Sequence, residues 1–109
     1  MTDREMLELA AKAGGYARHE YVENSARDGR VVTGHYDSLL EVCINPLDDD
    51  GDALRLAVRL NIPVIPYDDE TSTGTVGVVA NNWGSKEANT RRAITRAAAE
   101  VGRQMGAPK

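Results

Sequence analysis

A chain of 109 residues, 41% of them hydrophobic, is long enough for one domain with one core, burying roughly 65% of its unfolded surface without metal or disulfide staples. Cys43 is the only cysteine, which excludes an internal disulfide, and the absence of Phe leaves Leu, Val, Ile and Ala to fill the core. The net charge of −4 divides into −8 over residues 1–84 and +4 over residues 85–109, so the body repels nucleic acid and anionic membranes while the basic end is left to pair with that body or with an outside partner.

Four tyrosines and one tryptophan are few for a protein that stacks single-stranded bases. No apolar run approaches the roughly 20 residues that span a bilayer, and the opening Met-Thr-Asp-Arg-Glu-Met-Leu has acidic residues where a signal peptide wants positive ones. The expected compartment is the cytoplasm.

The first predicted helix runs from about Asp3 to Ala13. Thr2 and Glu5 fit a capping box, Lys12 suits the last turn, and Gly14 is the stop. Met6, Leu9, Ala10 and Ala13 form its expected buried stripe. Tyr16 to Val22 and Arg30 to Tyr36 are rich in Tyr, Val and Thr and read as a hairpin around a loop from Asn24 to Gly29. Leu39 to Ile44 is an apolar run that reads as a third strand, buried on both faces.

Pro46 holds Asn45 extended, and Asp48, Asp49, Asp50 and Asp52 offer oxygens and negative charge to a helix start. The second helix then covers about Asp50 to Leu60, with a stripe of Leu54, Ala57 and Leu60, Leu56 beside them, and Asn61 as end cap. Two prolines confine Ile62 to Pro66 to an edge strand. Asp68 to Ser72 reads as a turn, Thr73 to Ala80 as a strand bent at Gly74 and Gly77, and Asn81 to Gly84 as a loop. Ser85 caps a third helix over about Lys86 to Met105. The expected architecture is α+β in one domain, residues 1–109. It has a small antiparallel sheet of about four to five strands, with three helices packed mainly on one face.

The aspartate cluster is the first metal suspect, but its spacing does not fit a calcium loop and no Glu follows at the needed distance. Helix capping explains it better, so no metal and no cofactor is expected. His19 and His35 lie on the two hairpin strands and approach each other if paired. With Glu20, Asp37 and Cys43 they supply residue types for metal binding or thiol catalysis, though without specific spacing. Cys43, inside an apolar run, reads as a small inert core residue. On the third helix Arg92, Arg96 and Arg103 share a face, with Ala99 between them, while Ile94, Ala97, Ala98, Val101 and Met105 share another. The arginines are the candidate contact for an acidic partner. The competing reading is a solvated face, with Glu100 pairing Arg96 and Arg103 and Glu87 pairing Arg91. Trp83 is a core anchor or a further contact residue. Leu9, Leu56, Ile94 and Val101 are the expected core.

Three segments carry a resemblance: Met1 to Ala13, Asn45 to Val58 and Thr90 to Gly102, about 40 of the 109 residues. Together they resemble a group of small phage and prophage proteins of unknown function, similar to the NinX-like phage family. Ile44 stands where such proteins often have Trp before the middle segment. The resemblance implies a phage accessory protein that acts by binding a host or phage protein. It brings no catalytic residue with it. A nucleic-acid binder using the basic last helix is the alternative, and an enzyme ranks third because no acid–base or nucleophile set is visible.

Overall fold

The computed structural model describes residues 2–27, 29–66, 70–73, 78–80 and 85–105. In chain order these form α1 (Asp3–Gly14), β1 (Glu20–Arg27), β2 (Arg30–Asp37), β3 (Val42–Ile44), α2 (Asp50–Leu60), β4 (Ile65–Pro66), β5 (Glu70–Ser72), β6 (Val78–Ala80) and α3 (Lys86–Met105). The protein is α+β, with three helices. Among the described residues the strands make two antiparallel sheets of three, ordered β1-β2-β3 and β4-β5-β6, so four to five strands in one sheet is more than either holds. No described helix is long and apolar enough to cross a membrane.

Local chemistry sets the helix ends. The Thr2 hydroxyl accepts from the Glu5 N–H at 3.1 Å, and Gly15 closes α1 in the left-handed conformation. Asp49 caps α2 by accepting from the Asp52 N–H at 2.8 Å, and Asn61 ends it at φ 55°. The Ser85 hydroxyl accepts from the Ala88 N–H at 3.0 Å at the start of α3.

The core lies between the helices. Ala10 of α1, Ala53, Leu56 and Ala57 of α2, and Ile94 and Ala98 of α3 form one buried cluster, with Tyr16, Leu60, Ile62 and Val64 packed against it. β5 and β6 also pack on α3. With so many alanines the helix axes come close together, and that turns the stripes from their expected positions. On α1 the buried residues are Met6, Leu7, Ala10, Ala11 and Gly14; Leu9 and Ala13 are only partly covered. On α2, Ala53, Leu56 and Ala57 face inward and Leu54 faces solvent. On α3, Ile94, Ala97 and Ala98 are buried as expected, but Val101 and Met105 are exposed. Of the four expected core residues, Leu56 and Ile94 are buried, Leu9 is half-buried and Val101 is outside.

The hairpin differs in its bounds. Residues 16–19 are a turn, and β1 begins at Glu20 and continues through the expected loop to Arg27. Asn24, at φ 47°, forms a bulge between Val22 and Ser25, and its N–H donates to the Thr33 hydroxyl at 2.8 Å. The bulge absorbs the irregularity that Asn24-Ser25 suggests, so the pairing runs on to Arg27↔Arg30.

The third strand is shorter than the apolar run. An Asp37 carboxylate oxygen accepts from the N–H groups of Leu39 (2.9 Å) and Leu40 (3.3 Å), and that turn carries both leucines out of the sheet. Leu39 is 92% exposed. Glu41 passes through φ 56° before β3 starts at Val42. β4, with its proline, is an edge strand as expected. Glu70 to Ser72, expected in a turn, is a strand; of the expected strand 73–80, Val78 to Ala80 is strand, Thr73 is not, and the rest lies outside the described residues. Asp68, Asp69, Gly74, Gly77 and the loop 81–84 lie outside the described residues.

Candidate functional site

The basic helix is tied into the fold. Arg92 donates to both carboxylate oxygens of Asp3, at 3.0 and 3.2 Å, linking α3 to the start of α1. Arg91 donates to the Leu47 carbonyl at 2.9 Å and to Asp50 at 2.7 Å, linking α3 to the start of α2; Glu87 is not its partner there. Arg103 pairs with Glu100 at 2.6 Å on the same helix, as expected. Ala99, between the arginines in sequence, is fully buried, so the arginine row is no open cationic face. Arg96 is exposed and has no ion pair among the described residues. Trp83 lies outside the described residues.

These pairings separate two arginines by function. Arg92→Glu should lower stability by about 1 kcal/mol, with the loss shrinking in high salt. Arg96→Glu should leave stability within about 0.5 kcal/mol. Urea unfolding at low and high salt checks both, and equal losses would mean the Asp3 link does no structural work.

The aspartates before α2 have partners in the protein. Asp49 caps the helix, Asp50 holds Arg91, and Asp52 accepts from the Asn45 N–H at 2.9 Å and from Arg55 at 2.6 Å. Among the described residues no three His, Cys, Asp or Glu side chains are placed to hold a metal ion.

Two tyrosines enclose His35, and His19, in the turn before β1 rather than on the strand as expected, is near enough to act on its charge. His35 sits on the central strand β2, 3% exposed. Tyr16 and Tyr21 meet its ring edge-on, with centroids 5.5 and 5.4 Å away. His19 Nε2 faces the Asp37 carboxylate at 3.7 Å. Burial holds the His35 pKa below its ordinary value, against the nearby Glu8 charge, and His19 adds to the depression. Burial pushes the Tyr16 hydroxyl and the Cys43 thiol up, with Asp52 adding to both. A thiol held protonated is the reverse of an activated nucleophile.

Beside this cluster opens a cleft of about 800 Å³ between α2, β3 and the turn after α1. Tyr16, His19, Val42, Ile44, Leu54 and Val58 are among its lining residues. Arg59 fixes one wall by donating to the Gly14 carbonyl, and Arg55 leans on Asp52. Leu54 and Val58 are 63% and 68% exposed, and β3 is an edge strand of its sheet. Sequence reasoning missed this cleft because its walls come from distant segments. The available signal was on α2 itself, which carries Leu54 and Val58 four residues apart on the side opposite Ala53, Leu56 and Ala57.

Compared with known protein families, curated proteins and solved structures, the chain matches none.

Proposed function

We propose that the protein is a phage or prophage accessory protein that works in the bacterial cytoplasm without catalysis, by binding a host or phage protein. The contact surface in this reading is the cleft between α2 and β3. The observation that carries it is the exposure of Leu54, Val58 and Val42 on the cleft. Contiguous apolar side chains on a small acidic protein mark a place where another surface sits. The outer edge of β3, unpaired among the described residues, adds main-chain donors and acceptors for that surface to use. The NinX-like resemblance supports the phage setting. The ties of Arg91, Arg92 and Arg103 within the chain leave Arg96 as the α3 arginine most open to nucleic acid.

The test is capture from bacterial lysate with the parent and a Leu54→Glu, Val58→Glu variant. Both side chains are exposed, so the variant should fold with unchanged circular dichroism and lose the captured protein. A variant that captures everything the parent does would sink the cleft as contact surface. Salt-sensitive DNA binding by the parent, lost in Arg96→Glu, would favour the nucleic-acid reading.

A further inference from the structure

We propose that His35 is an acid-sensitive latch behind the cleft wall: a proton taken up by its buried ring loosens the junction of β2, β3 and the Gly15–His19 turn, and the cleft lets go of what it holds. The proposal rests on the cleft being the contact surface and adds its regulation.

The geometry is specific to this histidine. Its ring is closed in by Tyr16 from the turn after α1 and by Tyr21 from β1. Tyr21 and Ile44 are its register partners on the two neighbouring strands. Tyr16 and Ile44 also line the cleft, so His35 stands behind two of its walls. Three buried polar atoms at this junction, Tyr16 Oη, His19 Nδ1 and His35 Nδ1, have no hydrogen-bond partner among the described residues. A neutral imidazole tolerates that setting. An imidazolium adds a donor and a charge in a place with little to receive them.

The charged and titratable groups that face the ring are few. Glu8 of α1 favours the charged form, and His19 opposes it. Asp37, on β2, faces His19. Tyr16 and Tyr21 contact the ring in T-shaped geometry, and Ile44 is apolar. Burial is the largest influence and opposes the charge. The latched state therefore binds the proton less well than the loosened one. Its advantage is complete above the ordinary histidine pKa, roughly 6.5, and is lost as pH falls below it.

The experiment follows the histidine side chains and the backbone amides of Ile44, Leu54 and Val58 by NMR from about pH 7.5 to about pH 5, in the parent and in His35→Phe, with His35→Gln as the second variant should the first not fold. In the parent the cleft amides should shift and lose exchange protection along the His35 titration, while the α1–α3 amides stay protected. In either variant they should stay flat over that range. Capture of the lysate partner should weaken on acidification in the parent only. An unchanged acid response in the variants would assign it to His19 and overturn the latch. So would a parent that loses all amide protection at once, or none. The NMR readout needs no partner, so failure of the latch is separable from failure of the docking surface, which shows as unchanged capture by the Leu54→Glu, Val58→Glu variant at neutral pH.

Discussion

Gly102→Ala is expected to be among the most damaging single changes in the protein, costing about 3 kcal/mol or more, at the upper end for an overpacked site. A methyl group built at Gly102 lands 1.9 Å from the carbonyl oxygen of Leu9 and 2.8 Å from its carbon. Both atoms are backbone, in the middle of α1, so no side-chain rotation relieves the clash and the two helices must move apart. That movement would loosen the packing of α1 on α3, in which Leu7, Ala10 and Ala11 of one helix and Ala97 and Ala98 of the other are fully or almost fully buried. In a domain of this size the melting temperature should fall by roughly 10 °C or more. Gly29→Ala is the control. It meets nothing within 4 Å, and its φ of +75° makes the backbone cost about 1–2 kcal/mol the whole effect. Thermal melts of the two variants decide the matter, because similar shifts would mean that α1 and α3 are not in close contact at Gly102.

The Gly102 contact also shows why some of the fold was legible in the sequence and some was not. Helix ends were readable because caps act within a few residues: Thr2, Asp49, Asn61 and Ser85 each serve as expected. Which face of each helix is buried was harder to read. Periodicity favours the largest apolar side chains, whereas helices that approach closely are joined through alanine and glycine. Leu9, Leu54 and Val101 therefore turned outward relative to Leu7, Ala53 and Ala98. Leu39 and Leu40 misled for a related reason. Their apolar character says nothing about the Asp37 carboxylate, whose bonds to their N–H groups draw them into a turn. Strand pairing depends on partners far apart in the chain, and two three-stranded sheets share the same local signals as one larger sheet. The same distance hid the cleft, whereas the arginine row was visible as a helical spacing. What the spacing could not reveal was that Asp3, 89 residues away from Arg92, takes up its charge.

Leu56→Ala should cost roughly 2–5 kcal/mol, while Leu54→Ala, two residues away on the same helix, should stay within about 0.5 kcal/mol. Leu56 is 4% exposed and belongs to the core cluster with Ala10, Ile94 and Ala98. Four of the five other residues in that buried cluster are alanines, with little length to swing into a void. Truncation therefore leaves most of its volume as cavity, which places the cost in the upper half of that range. One relief is available: the Leu56 Cδ1 lies 2.9 Å from where a Gly14 methyl would sit. Gly14→Ala alone is crowded by that atom and by the Tyr16 ring, at 2.7 Å, and is expected to destabilise. Added to Leu56→Ala it loses half of the crowding and fills part of the cavity. The double variant should therefore be more stable than the sum of the two single changes by about 0.5–3 kcal/mol, the range found for residues in direct contact. Urea unfolding of the four proteins measures that coupling. Strict additivity would mean that Leu56 does not reach the end of α1, and a costly Leu54→Ala would mean that α2 is turned the other way, with the cleft and the core exchanged.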